Sequence, residues 1–161
     1  VFTIPKGVLM KNGAKITSLQ DPTAKMSKSD PNPKSYISVL DSNDVILKKF
    51  KSAVTDSDMC IRYDVENKPG ISNLMTILAV AEGKTLDEIE KECEGLMYGQ
   101  FKVKVAEAVI EMLRPFKDKF EKLSQDETYL LNCAKDGAIR ASEIASKTLS
   151  KVKDVLGYVR I

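Results

Sequence analysis

The sequence predicts a mainly α-helical protein, in which a helical bundle follows a short stretch of strand and loop. Two observations lead to this prediction. Residues 98–156 repeat apolar side chains every three or four positions, which is the period of an amphipathic helix. Before residue 41 the chain is instead rich in proline and turn-forming residues. The change in composition predicts a domain boundary, with residues 1–40 on one side and 41–161 on the other.

The first forty residues contain short β-prone stretches separated by turns. Residues 1–4 predict a strand or extended segment that Pro5 stops. Asn12-Gly13 predicts a tight turn that needs positive φ. Residues 14–19 then predict a short strand, and residues 36–40 predict another strand or extended segment. A loop that follows a strand is where a nucleotide site is expected in an open α/β sheet.

The first helix is predicted after residue 41, with Asp41 or Ser42 as its N-cap. Apolar residues recur at helical spacing through residues 45–54. The opposite side carries three lysines, which predict a solvated face and, as the alternative, contact with a nucleic-acid backbone. These are Lys48, Lys49 and Lys51.

Two shorter helices are predicted after an irregular, polar segment at residues 55–70. Ser72 is expected to cap the second helix, and Gly83 follows its end. Thr85 and Glu88 have the spacing of a capping box, which marks the start of the third helix.

The last third of the chain predicts long amphipathic helices with two apolar stripes, at residues 98–123 and 131–156. Pro115 lies inside the first stripe and is expected to kink it, because proline lacks an amide donor. Packing of both stripes in the core of a bundle is favoured over a cofactor-binding role.

The composition excludes several kinds of site. Among 161 residues there is no histidine, so catalytic triads with histidine and histidine-ligated metal sites are excluded. Cys60, Cys93 and Cys133 are far apart in sequence and predict free thiols in a reducing, cytoplasmic environment. The net charge of +2 does not by itself indicate a nucleic-acid-binding protein. No apolar run is long enough to span a membrane, so no membrane partner is expected.

The most concentrated chemistry lies in residues 21–30, here called the signature loop. Lys25 and Lys28 alternate with the hydroxyl groups of Ser27 and Ser29, between prolines that interrupt regular structure. Ammonium groups on flexible stems are suited to binding a polyphosphate. On residue types alone, an ordinary solvated loop remains the alternative.

The segment Lys25-Met-Ser-Lys-Ser29, preceded by Asp21-Pro22, resembles the second signature of class I aminoacyl-tRNA synthetases. Further blocks along the chain are similar to tryptophanyl-tRNA synthetases of bacterial type. These blocks are residues 18–23, 51–57, 61–64, 68–74, 98–102 and 106–115. The resemblance covers essentially the whole chain in order.

The resemblance implies ATP-dependent activation of tryptophan, followed by transfer to its tRNA. It also implies that the chain is a carboxyl-terminal fragment, without the amino-terminal nucleotide-binding half, and inactive alone. Residues 1–40 would then be the end of a Rossmann-type α/β catalytic domain, carrying its last strand and the signature loop. Residues 41–161 would be the helical domain on the anticodon side of the tRNA.

The resemblance also assigns residues to the ATP site. Lys25 and Lys28 would be catalytic, with Lys28 acting on the leaving pyrophosphate. Ser27 and Ser29 would donate to phosphate or hold the loop closed. Met26 would lie near the adenine through its backbone, and Ile16 would pack against the adenine. Mg²⁺ is expected with the ATP, and no residue of this chain is assigned as a metal ligand.

The family resemblance implies tRNA, ATP and tryptophan as partners, a homodimer for the full-length enzyme and a cytoplasmic location. Two other functions remain open from the sequence. The first is the tyrosyl enzyme of the same architecture, which the blocks at residues 51–57 and 68–74 make less favoured. The second is a helical RNA-binding module without catalysis.

Overall fold

The computed structural model describes residues 1–8, 13 and 15–158, and α-helices dominate this part of the chain. The helices are α1 (Asn43–Lys51), α2 (Pro69–Glu82), α3 (Leu86–Glu92), α4 (Tyr98–Ser124) and α5 (Glu127–Leu156). The predicted mainly α fold class is therefore confirmed.

The predicted strands do not form within the described residues. Residues 1–4 have no regular structure, and residues 15–19 contribute one isolated antiparallel bridge, between Thr17 and Lys25. Residues 36–40 bend and turn instead, because the Asp41 N–H donates to the Ser38 carbonyl at 3.1 Å. A strand needs a neighbouring strand for its backbone groups, and β-prone residues alone do not supply one.

Part of the predicted turn at residues 12–13 and the first residue of the predicted strand at residue 14 lie outside the described residues. Gly13 is described, and its φ of 72° is the positive value that the predicted turn requires.

The described residues divide into two compact units. One spans residues 13–117, and the other comprises residues 1–8 and 118–158. The core of the first unit contains apolar side chains from α1, α2, α3 and the first half of α4, together with Leu19 before the signature loop. Its fully buried members include Ile46, Phe50, Ile71, Leu78, Ile89, Phe101 and Val105. Burying each such side chain contributes about 1.5–3 kcal/mol.

Helix α1 begins as predicted, with the Ser42 hydroxyl accepting from the Val45 N–H at 3.4 Å. The prediction of a solvated lysine face is wrong for Lys49, which is 8% exposed. Its Nζ lies 2.6 Å from Asp41 Oδ2 and 4.9 Å from the centre of the Tyr36 ring. A carboxylate and an aromatic face together stabilise an ammonium group away from water. Lys48 and Lys51 are exposed.

Helix α2 begins at Pro69, and the expectation that Ser72 caps it is wrong. Proline suits the first helical position because the amide it lacks would have had no partner there. Ser72 lies in the first turn, where its buried hydroxyl accepts from the Asp64 N–H at 2.8 Å. Gly83 ends the helix with a φ of 67°, as predicted.

Close approach of two backbones explains Gly70 in the first turn of α2. A Cβ at this position would lie 2.3 Å from the Val54 carbonyl oxygen, so only glycine lets α2 pack on the segment that follows α1.

Helix α3 begins with the predicted capping box. The Thr85 hydroxyl accepts from the Glu88 N–H, and the Glu88 carboxylate accepts from the Thr85 N–H at 2.8 Å. The bond from the Thr85 N–H to the Glu88 carboxylate lowers the pKa of Glu88 most, and a bond from the Thr85 hydroxyl to the same carboxylate lowers it further.

The two long helices differ in burial. Helix α4 continues through Pro115 and buries Phe101, Val105, Ala106 and Val109, whereas α5 buries none of its residues. The expectation that the second apolar stripe packs in a core is therefore wrong for this chain: Leu131 is 59% exposed and Leu149 is 53% exposed. The kink expected at Pro115 stays a prediction.

Candidate functional site

The signature loop is shaped by short hydrogen bonds between its own residues. Asp21 Oδ1 accepts from the Thr23 N–H at 3.0 Å and from the Thr23 hydroxyl at 2.6 Å. These bonds, the one from the hydroxyl above all, lower the pKa of Asp21. Further along, Ser27 Oγ accepts from the Ser29 N–H and the Ser27 carbonyl accepts from the Asp30 N–H, both at 3.2 Å. Asp21 thus acts within the loop as a turn-forming residue.

Backbone bonds close the base of the loop. The Met26 N–H donates to the Ile16 carbonyl at 3.0 Å, and the Ser18 N–H donates to the Ala24 carbonyl at 2.9 Å. With the bridge between Thr17 and Lys25, these bonds pair residues 16–18 with residues 24–26. The loop is therefore held by a backbone pairing that includes Lys25, and Lys28 and Ser29 follow the paired residues in sequence.

Asn73 of α2 holds the same base from the other side. Its Oδ1 accepts from the Thr17 N–H at 2.9 Å, and its Nδ2 donates to the Thr17 carbonyl at 2.9 Å. The Asn73 amide therefore satisfies the two backbone groups that a neighbouring strand would satisfy in a sheet. Asn73 is 8% exposed, so this pairing is shielded from water. The sequence identified Asn73 only as part of a block similar to the family, and its spacing gave no sign of this contact.

The polar candidate residues are all exposed at the surface. Lys25, Ser27, Lys28 and Ser29 are all exposed, within five consecutive positions. Two ammonium groups and two hydroxyls this close in sequence are groups of the kind that bind a triphosphate.

The two apolar candidates, Ile16 and Met26, are separated from that surface. Both are half-buried, and both line an apolar groove of about 200 Å³ with residues of α1, α2 and α4. Their predicted contacts with adenine stay predictions.

A second lysine site is built into the interior close to α2. The Lys68 side chain is 3% exposed, and its Nζ lies 2.6 Å from Asp58 Oδ2 and 3.0 Å from Asp56 Oδ1. It also donates to the Tyr98 hydroxyl at 3.2 Å. Burial by itself would lower the pKa of Lys68, but the bonds to Asp58, Asp56 and Tyr98 outweigh it and raise the pKa.

The cluster of Lys68, Asp56, Asp58 and Tyr98 joins three parts of the first unit. It ties residues 56–58 to the N-cap of α2 and to the first residue of α4. Sequence patterns alone do not reveal this cluster, because Lys68 precedes a proline in an irregular, polar segment. Its role is structural: a cation whose charge is matched by two carboxylates has little attraction left for a ligand.

Within the part of the chain that the structure describes, no three acidic or cysteine side chains are placed to hold a metal ion. Mg²⁺ takes carboxylate and phosphate oxygens, and the two carboxylates of the signature loop, Asp21 and Asp30, instead accept hydrogen bonds from Thr23 and from the Asn32 N–H. The residues present therefore do not fit a protein-bound Mg²⁺.

With this geometry in place, comparison with known proteins is decisive. Residues 1–114 match the model of a family described as tRNA synthetases class I (W and Y). The chain belongs to this family. The family resemblance read from the sequence is thus confirmed.

Curated relatives of the family cover nearly the whole chain. The tryptophan–tRNA ligase of Halalkalibacterium halodurans is 47% identical over 160 residues, which is 99% of this chain and 48% of that protein. The tryptophan–tRNA ligase of Bacillus anthracis is 50% identical over the same shares. The chain spans about half the length of the curated relatives it matches.

A solved structure is similar to this chain in fold. The crystal structure of tryptophanyl-tRNA synthetase from Mycoplasma pneumoniae superposes with a TM-score of 0.81 at 30% identity. The match covers 92% of this chain and 45% of that chain. None of the described helices is long and apolar enough to cross a membrane.

Proposed function

We propose that this chain is the carboxyl-terminal portion of a tryptophan–tRNA ligase, which activates tryptophan with ATP and transfers it to its tRNA. The observation that carries the proposal is the name of its relatives: proteins 46%, 47% and 50% identical over 99% of the chain are tryptophan–tRNA ligases. The exposed lysines and serines of the signature loop supply the chemistry that ATP activation needs.

In the first step the tryptophan carboxylate attacks the α-phosphorus of ATP, and the bond to pyrophosphate breaks. The tryptophan carboxylate is itself the nucleophile, so this chain need not supply one. Its part is to position the phosphates and to stabilise the charge that builds up on them. Lys28 stabilises the leaving pyrophosphate, and Lys25 binds the triphosphate from the other end of the segment. Ser27 and Ser29 donate hydrogen bonds to phosphate oxygens.

Mg²⁺ bound with ATP would neutralise part of the phosphate charge, and no residue of this chain is proposed to hold it.

Within the full-length protein, residues 1–40 form the end of the catalytic domain, and residues 41–161 form the helical domain on the tRNA side. The chain alone lacks the rest of the nucleotide site and the tryptophan pocket, so it is inactive alone. The full-length protein is a cytoplasmic homodimer. These assignments follow from the family and from the share of its relatives that the chain covers.

Replacing Lys28 tests the proposal. In the full-length protein, Lys28→Ala should lower the rate of tryptophan-dependent pyrophosphate exchange roughly 10²–10³-fold, the usual effect of removing one group that stabilises transition-state charge. The dissociation constant for tryptophan should stay within about twofold, since Lys28 acts on the phosphates.

Lys34→Ala is the matched control, because Lys34 is exposed just after the loop and has no proposed role. Its exchange rate should equal that of the unaltered protein. Equal rates for Lys28→Ala and Lys34→Ala would refute the role of Lys28. Exchange that depends on tyrosine, and not on tryptophan, would refute the substrate.

A further inference from the structure

The side chain of Met26 lies apart from the other side chains at the centre of the signature loop. Lys25, Ser27, Lys28 and Ser29 are exposed, whereas Met26 is half-buried and packs against the hydrophobic core. Four polar groups therefore extend into solvent around one apolar side chain that turns inward.

Met26 lines the apolar groove defined above and packs there against the core. The groove is lined by Phe50 of α1, Ile77 of α2 and Val109 of α4. Phe50 and Val109 are 0% and 4% exposed, so the floor of the groove is the core itself. Methionine suits such an irregular space, because its unbranched thioether adapts to the walls.

The same residue is fixed through its backbone. The Met26 N–H donates to the Ile16 carbonyl, and Ile16 lines the groove beside it. Lifting the loop away from the helices would therefore expose the Met26 side chain to water and break this bond. Loop opening should be coupled to withdrawal of Met26 from the groove.

We infer that Met26 anchors the signature loop to the helical groove and so positions Lys25 and Lys28 for the phosphates. Met26 is then a positioning residue, which acts through the two lysines. This inference goes beyond the assignment of Met26 to the adenine, and its catalytic consequence rests on the proposed function. The anchoring itself rests on the geometry alone.

The loop provides its own reporter of anchoring, because trypsin cleaves after Lys28. Replacing Met26 leaves both residues of the cleaved Lys28–Ser29 bond unchanged. A change in the cleavage rate then reports on the loop and not on the cleavage site itself. In the full-length protein, Met26→Ala should raise the rate of cleavage at this bond about fivefold or more. Met26→Leu should restore the slow rate, and Met26→Gln, which has similar length but is polar, should not.

Met97→Ala is the control, since Met97 is 62% exposed and lies outside the groove. Its cleavage rate should match that of the unaltered protein. Rates are compared at a urea concentration well below the unfolding midpoint of each variant, so that global unfolding does not contribute. Unchanged cleavage in both Met26→Ala and Met26→Gln would overturn the anchor.

Pyrophosphate exchange tests the positioning role. Met26→Ala should lower kcat/KM for ATP about five- to tenfold with an unchanged KM for tryptophan, and Met26→Leu should restore it. Faster cleavage with unchanged kcat/KM would overturn the positioning role. If the unaltered protein shows no exchange, the proposed function fails, while the cleavage rates still decide whether Met26 anchors the loop.

Discussion

Two sets of lysines in the same unit have opposite surroundings. Lys25 and Lys28 are exposed on the signature loop, whereas Lys49 and Lys68 are 8% and 2% exposed and each contacts at least one carboxylate. The interior lysines hold segments of the chain together. Those of the loop remain available for an anion. The comparison shows that the placement of carboxylates, more than residue type, separates a structural lysine from a binding one.

Lys102 is intermediate between the two sets. Its Nζ donates to the Ala53 carbonyl at 2.7 Å, close to the end of α1, and burial lowers the pKa of Lys102. A cation near the C-terminal end of a helix is favoured by the helix dipole. Lys102 therefore ties α4 to the segment just after α1 without a carboxylate.

The largest effect should come from removing an interior lysine. Lys68→Met leaves Asp56 and Asp58 without their cation and should lower the thermal midpoint by roughly 10 °C. Lys25→Met, at an exposed position, should change it by no more than about 2 °C. Thermal unfolding followed by circular dichroism measures both. Equal shifts in the two variants would break the comparison.

A smaller effect on stability is expected at Gly70, where α2 packs closely on the segment that follows α1. Gly70→Ala places a methyl group against the Val54 carbonyl and should lower the free energy of unfolding by about 1–3 kcal/mol. Gly99→Ala is the matched control: Gly99 lies in the first turn of α4, and nothing is within 4 Å of its would-be Cβ. That control should be neutral or stabilising by up to about 1 kcal/mol. Urea unfolding that ranks the two variants the other way would contradict the backbone contact.

The smallest effect should be on the thermal stability of the protein at acidic pH. Burial tends to raise the pKa of Asp56, but hydrogen bonds from Tyr98, the Asp58 backbone and Lys68 outweigh it and lower the pKa below the usual 3.8. The folded protein then binds fewer protons than the unfolded one. The stabilisation by ionised Asp56 is complete above pH 3.8 and is lost as the pH falls through the folded-state pKa.

Asp56→Asn tests this dependence. The variant should be less stable at pH 6, and its thermal midpoint should fall less steeply below pH 4 than that of the unaltered protein, by a few degrees. Parallel curves for the two proteins would show that Asp56 does not contribute to the acid sensitivity.

The sequence alone determined the local features of this protein. Caps and turns such as Ser42, Gly83 and the Thr85–Glu88 box depend on a few neighbouring residues, so their residue types suffice to predict them. The exposure of Lys25 and Lys28 is also a local feature, since charged side chains in a polar loop bounded by prolines are normally solvated. The family followed from short blocks read in order.

The tertiary structure decided everything that depends on a partner distant in sequence. It placed Asn73 against Thr17, 56 positions away, where strand pairing had been expected. It also placed carboxylates beside Lys49 and Lys68, which makes both lysines structural. It packed Met26 against the core in the lining of the groove, and it left the apolar stripe of α5 exposed. An amphipathic pattern specifies a helix and the face that could be buried, but only the folded chain specifies what covers that face.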